Sequence, residues 1–154
     1  MMKKIISLII ISIFVTSCQN DDYETILVNN PEVLLQIPQG FPELNSSVTS
    51  NKPTKYGVEL GEKLFSEKRF STDNSISCSS CHIQENAFTH HGHTVSHGVN
   101  NAAGTRNAQP IQNLAFQSVF MWDGASDHLD LQPVIPLTSP IEMNGNIPNI
   151  LTMM

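Results

Sequence analysis

Cys78-Ser79-Ser80-Cys81-His82 places two thiols three residues apart, with an imidazole directly after them. Three kinds of chemistry use such a group: a dithiol–disulfide pair, two corners of a zinc site, or covalent attachment of haem. A disulfide closing so short a loop gains little from loop closure. A thioredoxin-like pair calls for a βαβ setting, and the flanking sequence has none. Zinc would need two further ligands from His90, His91, His93 and His97. C-x-x-C-H is also the attachment motif of c-type haem. One helical turn brings both sulfurs to one edge of the macrocycle, where they add across its vinyl groups. The next residue, His82, then reaches the iron as proximal ligand. Haem attachment is the reading that accounts for His82 directly.

The N-terminus reads as an export signal. Lys3 and Lys4 precede an apolar run, Ile5 to Val15, shorter than the ~20 residues a spanning helix needs. Val15-Thr16-Ser17-Cys18 resembles a bacterial lipobox, which implies acylation of Cys18; the alternative is an ordinary signal with an incidental cysteine. Residues 1–17 are expected to be removed, and the chain to reside in the periplasm or on the outer membrane, tethered by lipid. The remainder carries 6 basic and 14 acidic residues, a net charge of −8 with neutral histidines. That balance excludes a nucleic-acid partner, which requires a basic footprint.

The elements that must hold the motif are short. Hydrophobic residues make up 40% of the chain and aromatics only 6%, a thin supply for a core in so small a domain; a bulky apolar cofactor would supplement it. Nine prolines and eight glycines imply many turns. Residues 18–52, polar and rich in proline, read as a tether, with Val33-Leu34-Leu35 and Phe41 lying in a surface groove. From Tyr56 the apolar residues Leu60, Leu64 and Phe65 recur at helical spacing, predicting a helix over 54–66. A short helix is expected at the cysteines, capped by Ser75 or Ser77. Loop follows over 86–110. Further helical pieces are predicted at 111–116 and from Asp127 to just before Pro136. No strand alternation or repeat is visible. The class is mainly α, with the domain spanning 53–154.

Five stretches resemble the bacterial di-haem cytochrome c peroxidase family, including its methylamine-utilisation relatives. They are Leu60-Gly61-Glu62-Lys63-Leu64-Phe65, Ile76 to His82, Gly104-Thr105-Arg106-Asn107-Ala108, Met121-Trp122-Asp123-Gly124 and Pro140-Ile141-Glu142-Met143. The resemblance implies a cytochrome c-like haem domain with long loops. The implied activity is reduction of hydrogen peroxide to water, with electrons from a small cytochrome c or cupredoxin. It gives Glu142 as the proton-moving carboxylate of the distal pocket and Gln132 as the pocket amide. Trp122 becomes the electron relay between haems, or else a core tryptophan against the haem edge. His97 becomes a detachable distal iron ligand, Arg106 a propionate partner and Asn107 a calcium ligand at the domain interface.

His90, His91 and His93 read as exposed loop residues, with a surface metal site as the alternative. The arginine that follows Trp-Asp-Gly in the family is Ala125 here. The family carries two haem domains, whereas this sequence has one C-x-x-C-H. It is expected to be a piece of a longer enzyme, a half whose second haem domain is encoded separately, or a one-haem form. Two other functions stand beside the peroxidase. One is a mono-haem electron-transfer cytochrome with Met121 or Met143 as sixth ligand; the other is a zinc-stabilised binding module.

Overall fold

The computed structural model describes residues 29–154. The expected signal segment and Cys18 lie outside the described residues. Among the described residues, five short α-helices are joined by 3-10 turns and long loops: α1 (Ser46–Ser50), α2 (Lys55–Phe65), α3 (Cys78–Cys81), α4 (Val134–Thr138) and α5 (Ile147–Met153). Among the described residues, β structure is limited to isolated antiparallel bridges. No helix described is long and apolar enough to cross a membrane.

Helix α2 matches the predicted 54–66 to within one residue at each end. Thr54 caps it by accepting the Gly57 N–H at 3.2 Å. A Cβ on Gly57 would lie 2.9 Å from that hydroxyl, so the missing side chain leaves room for the cap. Helix α3 opens at Ser77, one of the two expected caps. The Ser77 N–H donates to Ser80 Oγ at 3.1 Å, and the Ser77 carbonyl accepts the Ser80 N–H. This closes a single turn around the two cysteines.

The described part of the expected tether is tied to the domain at several points. Val33 N–H donates to the Pro53 carbonyl and Lys55 N–H to that of Pro31. Phe41 meets Phe116 edge to face at 4.9 Å, whereas Leu34 stays exposed. Asn45 caps the unanticipated helix α1 and donates its own N–H to the Ala115 carbonyl at 2.7 Å. Ser47, fully buried, accepts the Leu129 N–H.

Two corrections concern helices. The segment expected to be helical from Asp127 is a series of turns up to Gln132, and the helix begins only at Val134. Pro136 lies inside α4 instead of ending it. As the third residue it falls where a helix has no internal acceptor for an N–H, so its missing donor costs nothing. The piece predicted over 111–116 contracts to a 3-10 turn, Leu114–Phe116. Helix α5 was not foreseen. Asn146 caps it, and Ile150 is its buried residue.

The apolar core is as small as the composition implied. Among the described residues, Val99, Phe120, Met143 and Ile150 are its buried hydrophobic members. Even α2 buries none of its residues fully.

Candidate haem site

Helix α3 sets Cys78 and Cys81 one turn apart, both half-buried and both free thiols. Burial raises both thiol pKa values; for Cys81 the nearby Glu142 and Cys78 add to the rise. A protonated pair is poorly suited to redox exchange, which uses the thiolate. His82 ends the helix, its N–H donating to the Cys78 carbonyl at 2.9 Å. Its ring Nδ1 lies 2.9 Å from the carbonyl oxygen of Phe88. Facing a carbonyl, Nδ1 must be the donor, which leaves the Nε2 lone pair for a metal. Histidine ligands are commonly oriented this way.

The turn delivering that carbonyl is unusual. Ala87 and Phe88 both adopt left-handed backbone, with φ of 58° and 56°. Non-glycine residues rarely do so, and such conformations gather at functional sites. The Ile83–Thr89 bridge closes the turn. Phe65 of α2 approaches the imidazole, with ring centroids 6.5 Å apart. These features fit haem c: two free sulfurs on one helical turn, an imidazole with Nε2 available, and the apolar Phe65 alongside.

The backbone of Glu142 packs on Gly98, next to His97, whose carbonyl faces the Cys81 thiol. Glu142 is half-buried, and burial raises its pKa. Its backbone is clamped against the segment after α3. Val99 N–H donates to the Glu142 carbonyl at 2.8 Å. A Cβ on Gly98 would stand 2.2 Å from the Ile141 oxygen and 2.6 Å from Glu142 Cα. Only glycine permits that approach. The Cys81 thiol faces the His97 carbonyl at 3.9 Å.

Gln132 reaches Met121, its Nε2 standing 3.1 Å from Sδ. Met121 is itself in a left-handed conformation, φ 70°. Trp122 is 61% exposed and donates its indole N–H to the Asn107 carbonyl at 3.0 Å. The indole thus lies on the surface of the protein, next to the turn at Met121.

Arg106 pairs with Asp123 at 3.2 Å on the surface, and that contact lowers the Asp123 pKa. A propionate would have to share this guanidinium. Asn107 Oδ1 accepts from the Ala108 N–H and the Ser96 hydroxyl, while Nδ2 donates to the His90 carbonyl. A calcium ion on this oxygen would have to share it with both donors. Among the described residues, no three His, Cys, Asp or Glu side chains converge on a metal position, so the four-ligand zinc arrangement is not assembled.

Sequence reasoning missed Asp73, treating it as part of a polar loop. Its Oδ1 accepts the Ser75 N–H at 3.0 Å, and its Oδ2 accepts the Asn100 N–H at 3.0 Å. It therefore ties the approach to α3 to the loop after His97. Ser-Thr-Asp-Asn-Ser is the kind of run in which an aspartate bonds the backbone two residues on, a signal that could have revealed it. The Phe88 carbonyl has no side-chain signature.

The family model for di-haem cytochrome c peroxidase matches residues 55–154. The chain belongs to that family. Family membership implies covalently bound haem c, in agreement with the fit of α3 and His82. The methylamine utilization protein MauG of Methylorubrum extorquens is 36% identical over 103 residues, 67% of this chain and 29% of that protein. The cytochrome c peroxidase Ccp of Escherichia coli is 40% identical over 86 residues, 56% of this chain and 18% of that protein. A solved MauG-like protein associated with microbial copper homeostasis superposes with a TM-score of 0.68 at 34% identity, covering 79% of this chain and 35% of its own. The match thus spans about a third or less of these di-haem relatives.

Proposed function

We propose that this chain is the peroxidatic haem domain of a di-haem cytochrome c peroxidase. It would reduce hydrogen peroxide to water, using two protons and two electrons delivered by a small cytochrome c or cupredoxin. The observation that carries the reading is the joint placement of a carbonyl-oriented His82 at the end of the attachment turn and of a half-buried Glu142 whose backbone packs on Gly98, beside the His97 carbonyl that faces Cys81. Haem c, when bound through Cys78 and Cys81, supplies the iron at which the peroxide bond is broken.

The residues of the chain have distinct parts in this scheme. The bond to Phe88 makes His82 a better electron donor through Nε2. Glu142 as carboxylate takes a proton from one peroxide oxygen and returns it to the other, and burial, by raising its pKa, makes it the stronger base for that transfer. Such general acid–base transfer typically contributes about 10²–10⁴-fold. The Gln132 amide would hydrogen-bond the peroxide, and His97 would serve as a second, detachable histidine ligand for the haem iron. Trp122, exposed beside Asn107, passes electrons from a second haem domain. Arg106 and its partner Asp123 flank the same surface and bring a propionate contact within the role assigned to Arg106. The domain is placed in the periplasm or at the outer membrane, held through acylated Cys18.

The reading is tested on protein exported from a host competent in haem ligation. Intact mass should show one added haem per chain, and steady-state assays with hydrogen peroxide and a reduced cytochrome c should show turnover once a second haem domain is supplied. Glu142→Gln should lower kcat by about 10²-fold or more with the haem spectrum retained. A haem-loaded, six-coordinate protein inert to peroxide would instead identify an electron-transfer cytochrome.

A further inference from the structure

The histidine loop is not used by the peroxidase scheme apart from His97. Within it the rings of His90 and His93 lie 5.1 Å apart, centroid to centroid, tilted by 30°. His97 continues the row at another 5.1 Å. We propose that His90 and His93 form a second metal site, a two-imidazole chelate for a divalent transition-metal ion, completed by water.

Ring spacing is the first support. With a metal–nitrogen bond of about 2.0–2.1 Å, two imidazoles on one ion have centroids roughly 4–6 Å apart, and small side-chain rotations suffice to direct both nitrogens at it. The second support is an unmet need. The Nδ1 of His90 is buried and has no hydrogen-bond partner among the described residues, which is costly for a polar atom; a bound ion would satisfy it. His93 is exposed and leaves the approach open. Burial and the neighbouring imidazoles lower the His90 pKa, so the ring is neutral and able to ligate near pH 7.

The rest of the loop is held in place. The His90 carbonyl accepts from Asn107 Nδ2, and left-handed Gly92, φ 87°, forms the bend between the two rings. Because no three ligating side chains converge here, the site is open and exchangeable. Nitrogen ligands with solvent favour Cu(II) over the other divalent first-row ions.

The test is titration of the haem-loaded chain with Cu(II), followed by calorimetry and electron paramagnetic resonance. One Cu(II) per chain is expected, with nitrogen splitting on the copper signal. Affinity should fall at least tenfold in His90→Ala and in His93→Ala, and stay unchanged in His91→Ala. Each variant's haem spectrum reports that it has folded. Absence of saturable binding overturns the proposal, as does binding that survives both substitutions or falls equally in His91→Ala. None of these outcomes depends on peroxidase turnover, so the metal site and the peroxidase reading fail separately.

Discussion

His82 Nδ1 stands 2.9 Å from the Phe88 carbonyl oxygen, held there by two consecutive left-handed residues. Six residues of chain thus fold back so that a backbone atom sets the tautomer of the His82 imidazole. His82→Met should still permit thioether attachment, because Cys78 and Cys81 are untouched. Methionine ligation raises haem potentials, so the midpoint of the variant should move upward. Spectroelectrochemical titration measures it, and an unchanged potential would mean that His82 is not the axial ligand.

Gly98 tests the clamp on Glu142. A methyl group there meets the Ile141–Glu142 backbone, with contacts of 2.2, 2.5 and 2.6 Å, and none of these atoms can swing away. Gly98→Ala should cost about 1–3 kcal/mol, as overpacking does, and should displace Glu142 enough to reduce turnover. Gly61→Ala is the contrast. It lies within α2 with open space around it and should stabilise the helix by about 0.5–1 kcal/mol. Denaturant midpoints of the two variants should move in opposite directions.

Glu142 carries a pH signature. Its pKa is raised in the folded chain by burial, so its contribution to stability is complete below the unfolded carboxylate value of about 4.3. That contribution is lost as pH rises through the higher folded value. Glu142→Gln should therefore flatten stability against pH just above the ordinary carboxylate range. Thermal melts from pH 4 upward, compared with the parent chain, would show whether that slope belongs to this group.

Asp73 works in the opposite sense. Bonds from Ser75 and Asn100 hold its pKa down to about 2 from an ordinary 3.8. Its stabilisation is present above the ordinary value and lost as pH falls through about 2. Asp73→Asn should remove part of the acid-side slope and loosen the approach to α3. Hydrogen exchange at the Asn100 amide, which bonds Asp73 Oδ2 at 3.0 Å, should accelerate in the variant. Unchanged protection there would show that the carboxylate does not hold the loop.

Features set by near neighbours were legible in the sequence. The attachment turn, its Ser77 cap and helix α2 all depend on residues within four positions of one another, and they appear where they were expected. So does the thin core, because composition alone limits how much apolar surface can be buried. Contacts across long stretches of chain were not legible. The packing of the Glu142 backbone on Gly98 joins distant stretches of chain, and no periodicity encodes it. The exposure of Trp122, the pairing of Arg106 with Asp123 and the occupied oxygen of Asn107 depend on how separate loops meet. Helix α1 and the late start of α4 were missed because their short sequences have weak helical preference. Caps from Asn45 and packing against residues 113–130 decide the first, and the turns after Ser126 the second. Local hydrogen bonding thus sufficed to specify the chemistry-bearing turn. Only tertiary packing, in which backbone meets backbone at Gly98, decides how the segment carrying Glu142 is brought to it.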